Sequence, residues 1–224
     1  MKSLLAIASL ILLAACGSGG PPPPDWKTDA ADLIERYKKH ALLGENTLAE
    51  RYFQQAIVAT GGAGRVSDTA RLWLVRCAVR RAMLIDDACA EYADLARLDP
   101  DPADQSYHQF LILNWDTAHA AQLPKQHRDL VSAAAGARTE LLSKVDDPLA
   151  RLLGASLLVM RQEADDHALE LATETASARG WRQPLLTYLK LQEKRAVVQG
   201  NATELERLAQ RIQLVEKSLP SDPK

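Results

Sequence analysis

The chain has 224 residues, with 27 Lys and Arg against 29 Asp and Glu, a net charge of −2. So even a balance argues against a surface built for nucleic acid or anionic lipid. Aromatic side chains make up only 5% of the residues, which also disfavours a stacking platform for bases or sugars, and the length suffices for one sizeable domain.

The amino terminus opens on Lys2, followed by an apolar run from Leu4 to Ala15 broken only by Ser9, and then by Cys16, Gly17, Ser18, Gly19 and Gly20. A charged start, a short apolar core and a small-residue exit form the pattern of a secretory signal. The run is too short to span a bilayer, for which about 20 apolar residues are needed. Leu13, Ala14, Ala15 and Cys16 resemble the lipobox of bacterial lipoproteins, in which signal peptidase II cuts just before the cysteine. The resemblance implies that residues 1–15 are a cleaved signal peptide. It also implies that Cys16 carries a diacylglycerol and usually a third acyl chain, enough to hold a protein at a membrane. Gly17 is not the aspartate that in enteric bacteria favours the inner membrane, so the expected address is the periplasmic face of an outer membrane. Residues 16–24 end in the prolines Pro21 to Pro24 and read as a stiff tether.

From Asp25 to Pro220 no alternating strand pattern stands out. Apolar residues recur at three- and four-residue steps among abundant Ala, Leu, Arg and Glu, as helices require. Hairpin turns are expected at Gly44–Asn46, Ile85–Asp87, Gln122–Lys125, Arg161–Ala164 and Gly200–Asn201. Further breaks fall at Gly61–Arg65, Asp99–Pro102, Asp146–Pro148 and Gly180–Pro184. Several carry Asp before proline at a helix start or glycine at an end. These breaks predict an all-α domain over 25–220 of about ten helices in five antiparallel hairpins, recurring every ~40 residues as in an α-solenoid. Residues 221–224 are left as a disordered tail.

In the first hairpin Gly44, Ala49, Phe53 and Ala56 match the turn glycine and the small, aromatic and small packing positions of the tetratricopeptide repeat, which this stretch resembles. In the second, Ala88, Tyr92, Asp99 and Pro100 fit, but Leu95 stands where a small residue is usual. The last keeps Gly200 yet has Leu205, Ala209 and Ile212 at the packing positions. The third and fourth show little beyond helix length. The alternative is an irregular helical bundle.

Cys77 and Cys89 are the cysteines besides Cys16. In an oxidising compartment two thiols are more often a disulfide than a metal pair or a nucleophile. Cys77 lies on a helix expected from Ser67 to Leu84 and Cys89 on the returning one, so a bridge across the hairpin is expected; the alternative is two buried thiols. The Ser67 helix carries Arg71, Arg76, Arg80 and Arg81, and the next carries Asp86, Asp87, Glu91 and Asp94. We read these as internal ion pairs. The functional alternative turns Arg76 and Arg80 into a concave face to grip a partner's carboxylate.

A helix is expected from Ala103 to Ala121, on which His108, Ile112, Trp115 and His119 would form one stripe. It reads as a packed face or a peptide groove. His108 and His119, ~16 Å apart on such a helix, cannot share a metal. Zinc-protease, phosphate-loop and serine-elbow patterns do not occur, and Gly61, Gly62 and Gly64 follow a helix and read as an inter-repeat linker. No cofactor, metal or catalytic residue is therefore expected. The reading is a non-enzymatic, lipid-anchored scaffold that binds an envelope protein through some of Trp73, Arg76, Arg80, Arg81, His108, Trp115 and His119. Its alternative is a small-molecule or peptidoglycan-fragment binder, which a pocket at Trp73 or Trp115 with convergent arginines would favour.

Overall fold

The computed structural model describes residues 22–220; the leader, Cys16, most of the tether and the tail lie outside the described residues. Among the described residues there is no strand, and eleven α-helices follow one another. They are α1 (Asp25–Leu43), α2 (Asn46–Gly62), α3 (Val66–Ala82), α4 (Ala90–Ala96), α5 (Pro102–Leu111), α6 (Lys125–Ser132), α7 (Arg138–Ser143), α8 (Pro148–Met160), α9 (Asp166–Ala178), α10 (Arg182–Gln199) and α11 (Ala202–Ser218). Single 3-10 turns occur at Ala120–Gln122 and Ala135–Ala137. The fold is all-α.

Local chemistry sets most helix ends. Asp101, Asp147 and Asp165 accept backbone N–H bonds from the first turns of α5, α8 and α9, and Pro102 and Pro148 stand just inside two of these starts. Gly44 closes α1 at φ +81°, with its own N–H and that of Glu45 returned to the carbonyls of Ala41 and His40. A β-carbon there would also meet a terminal methyl of Leu219 at 2.7 Å, so that side chain would have to move aside; the positive φ is what calls for glycine.

Packing is less local than a stack of repeats. Ile34, Tyr37 and Ala41 of α1 and Ala49, Phe53 and Ala56 of α2 are buried in the first hairpin. Every residue of α8 from Leu152 to Leu158 is buried, making it the central helix, against α3, α6, α7 and α9. At its contact with α7 a β-carbon on Gly154 would meet Leu142 at 2.5 Å. Tyr188 of α10 is wholly buried and donates its hydroxyl to the Ala82 carbonyl at the end of α3, 3.3 Å away. Arg182 donates to the carbonyls of Leu43 and Ser218 and to Glu45, tying the last hairpin to the first turn. The hairpins therefore pack on helices distant in sequence as well as on their neighbours.

The middle of the chain departs from the expected pattern. The helix expected over Ala103–Ala121 stops at Leu111, and Leu113 takes φ +70°. A non-glycine residue there costs about 1–3 kcal/mol. What offsets it is Trp115, which folds back to 5% exposure and donates its indole N–H at 2.9 Å to the Phe110 carbonyl, which also takes the Leu113 N–H. The guanidinium groups of Arg138 and Arg161 lie 4.7 and 4.3 Å from its ring centre. Arg161 also bonds the Leu113 carbonyl. The expected returning arm is likewise broken into α6, a 3-10 turn and α7, so this region is not a hairpin of two long helices.

Candidate functional site

The arginines of α3 are consumed within the protein. Arg76 bonds Glu50 of α2 at 3.0 Å and lies over the rings of Phe53 and Trp73. Arg80 bonds the Asp87 carboxylate at 2.5 Å. Arg81, 6% exposed, donates twice to the Asp87 carbonyl and reaches Met160, with Asp86 at 3.5 Å. Arg71 bonds Asp101 and Asp104 at the start of α5. Internal pairing is thus the arrangement found, but it reaches α2, the start of α5 and the loop ahead of α4, with none of these arginines paired to α4 itself.

Asp87 organises the loop between α3 and α4, since its other carboxylate oxygen accepts the Cys89 N–H at 2.8 Å. Cys77 and Cys89 are joined in a disulfide with Cα atoms 5.5 Å apart. Cys89 is not on the returning helix but immediately precedes it, at φ +51°. A hollow of about 310 Å³ beside Trp73, Arg76 and Arg80 is the only place where a predicted tryptophan and arginines converge among the cavities described. Their charges are already satisfied there.

His108 and His119 do come together, though not on one helix face. The turn after Leu111 brings both to the wall of an open cleft of about 760 Å³, with Gln105, Gln109, Asn114 and Gln122. His108 packs its ring against Tyr92, 4.9 Å between centres, and burial holds its pKa below the usual imidazole value despite a backbone bond to Ala88. His119 is exposed; its backbone N–H and carbonyl both bond the Ser106 hydroxyl. Trp115 lies in the core and is not available to a partner, because the chain reverses ahead of it.

A further groove, of about 530 Å³, lies where α1, α3, α5, α6, the start of α8 and the α9–α10 turn meet. Val75, Ala78, Tyr107, Leu149 and Trp181 supply apolar contact area above the buried Leu42. Lys38, Lys39 and Arg179 stand on it with the acids Glu35 and Asp147. Lys38 is paired with Glu35, whereas Lys39 and Arg179 have no ion-pair partner among the described residues. His127 also faces the groove but is 2% exposed; burial pulls its pKa down to about 4, against the opposing field of Asp147. At neutral pH it is an uncharged wall residue. Sequence reading missed this groove because its residues are scattered from 35 to 181; the paired lysines and the Trp after Gly180 were the available signals.

Compared with protein-family models, curated proteins and solved structures, the chain matches none.

Proposed function

We propose that this chain is a non-enzymatic interaction scaffold, exported and held at the periplasmic face of a membrane through lipid on Cys16. The observation that carries the interaction reading is the groove between α1, α3, α5, α6 and α8. Its apolar floor and two unpaired cations suit an amphipathic partner segment bearing acidic residues. The leader ending in Leu13, Ala14, Ala15 and Cys16 supports the anchor. The Cys77–Cys89 bridge supports export, since disulfides persist in oxidising compartments.

The test is photo-crosslinking in intact cells from position 149 or 181 of the full chain. The expected result is one envelope protein recovered in a discrete adduct that Lys39→Glu with Arg179→Glu abolishes. No adduct, or one indifferent to the charge reversal, refutes the groove reading. Cys16→Ser should abolish fatty-acid labelling and membrane retention; continued acylation refutes the anchor. The ligand-binder alternative draws its support from the cleft at His108 and His119, whose size suits a small ligand.

A further inference from the structure

We propose that the cleft between α4, α5 and the 112–122 turn takes an extended, uncharged stretch of polypeptide and holds it by its main-chain amides. The inference rests on the scaffold reading and adds to it a second docking site of different chemistry.

The wall of the cleft carries a preset hydrogen-bonding pair. Gln109 Oε1 accepts from Asn114 Nδ2 at 2.8 Å, and the Thr117 hydroxyl lies 3.2 Å from the same oxygen. That bond uses Gln109 Oε1 and Asn114 Nδ2 and leaves the Gln109 amide N–H groups as donors and Asn114 Oδ1 as an acceptor, on two residues that line the cleft. Turning both amides over leaves the same pair with its members exchanged. A secondary amide presents the complementary carbonyl and N–H. Gln105 stands one helical turn before Gln109 and repeats the carboxamide chemistry on the same face of α5, and Gln122 adds another.

The floor points the same way. Tyr92 Oη and His108 Nε2 are both buried with no hydrogen-bond partner among the described residues, and Tyr92 is only 2% exposed. Both residues line the cleft. Both atoms lie beneath the cleft surface, so a bound segment reaches them only by displacing the side chains that cover them.

Charge and shape choose among amide-bearing ligands. Among the described residues Arg97 is the only charged side chain on the cleft, and it is paired with Asp94 at 2.6 Å. A charged ligand would therefore find no counter-ion. An acetamido sugar would want an aromatic face to stack on, but the Tyr92 ring is covered and Trp115 is turned into the core. What remains on the wall is carboxamide, hydroxyl and imidazole, which suits a peptide backbone.

The test uses the full-length chain in detergent micelles against an array of short, uncharged peptides with blocked ends. The best binder is measured by calorimetry on three proteins: wild type, Gln109→Met with Asn114→Leu, and Lys39→Ser with Arg179→Ser. The expected result is a dissociation constant weakened about tenfold or more in the cleft variant and unchanged in the groove variant. N-methylation of one peptide bond of the binder should reproduce the loss on wild-type protein, a readout that does not depend on the variant folding. Equal binding by the cleft variant together with indifference to N-methylation overturns the proposal. So does failure of every peptide, or selective binding of an N-acetylglucosamine tetramer. A partner crosslinked from positions 149 and 181 alongside such a failure would leave the scaffold standing without this cleft.

Discussion

Acidification between pH 6.5 and 4.5 should destabilise the domain through His127. The imidazole is 2% exposed and packs against the rings of Phe110 and Tyr107, with centres 4.8 and 5.9 Å away. Burial lowers its pKa from 6.5 to about 4, and the nearby Asp147 carboxylate opposes but does not cancel that effect. The unfolded chain therefore binds a proton near pH 6.5 that the folded chain refuses until about pH 4. Between those values the unfolded state holds more protons, so stability rises with pH, is complete above 6.5 and is lost as pH falls toward 4. At 1.36 kcal/mol per pH unit the gap sets a loss of about 3 kcal/mol, or roughly 6–12 °C in Tm for a domain of this size. His108, also depressed by burial, adds in the same direction. Urea unfolding followed by circular dichroism at pH 7.5, 6, 5 and 4.5 would measure the slope in wild type and in His127→Leu. The variant should lose most of the slope between pH 7.5 and 5.5, keeping the His108 contribution and, nearer pH 4.5, that of Glu45, Glu163 and Glu204, whose pKa values are held below the usual range by the partners they bond. Identical slopes in the two proteins would refute the reasoning.

Trp115→Ala should cost about 3–5 kcal/mol in urea unfolding, because it removes a buried indole and the partner of two guanidinium groups. Replacing Cys77 and Cys89 by serine should lower stability by up to ~3 kcal/mol, as expected for a bridge across a sequence separation of 12; alkylation of denatured, unreduced protein should find neither thiol free. Gly154→Ala should destabilise by about 1–3 kcal/mol, since its methyl would collide with Leu142, and a melting temperature equal to wild type would contradict the close α7–α8 contact.

Much of the helix plan was legible locally because its causes are local. Asp101 before Pro102, Asp147 before Pro148 and the left-handed Gly44 and Gly200 each act through hydrogen bonds or backbone freedom within one turn. The bridge between Cys77 and Cys89 was legible for a similar reason: the two positions flank one short turn. The stop at Leu111 was not, because the sequence from Ala103 to Ala121 is helix-compatible by periodicity. What ends the helix is the burial of Trp115 against Arg138 and Arg161, which the chain delivers only after further helices have folded back. Both the amide cleft and the separation of His108 from Trp115 follow from that one reversal. The partners of the arginines were hidden in the same way. Charge balance shows that Arg71 and Arg76 can be neutralised within the chain, but only tertiary packing decides that Asp101, Asp104 and Glu50 do it. Periodicity and capping are properties of neighbouring residues, whereas the groove, the cleft and the ion pairs arise from helices that meet across the whole chain.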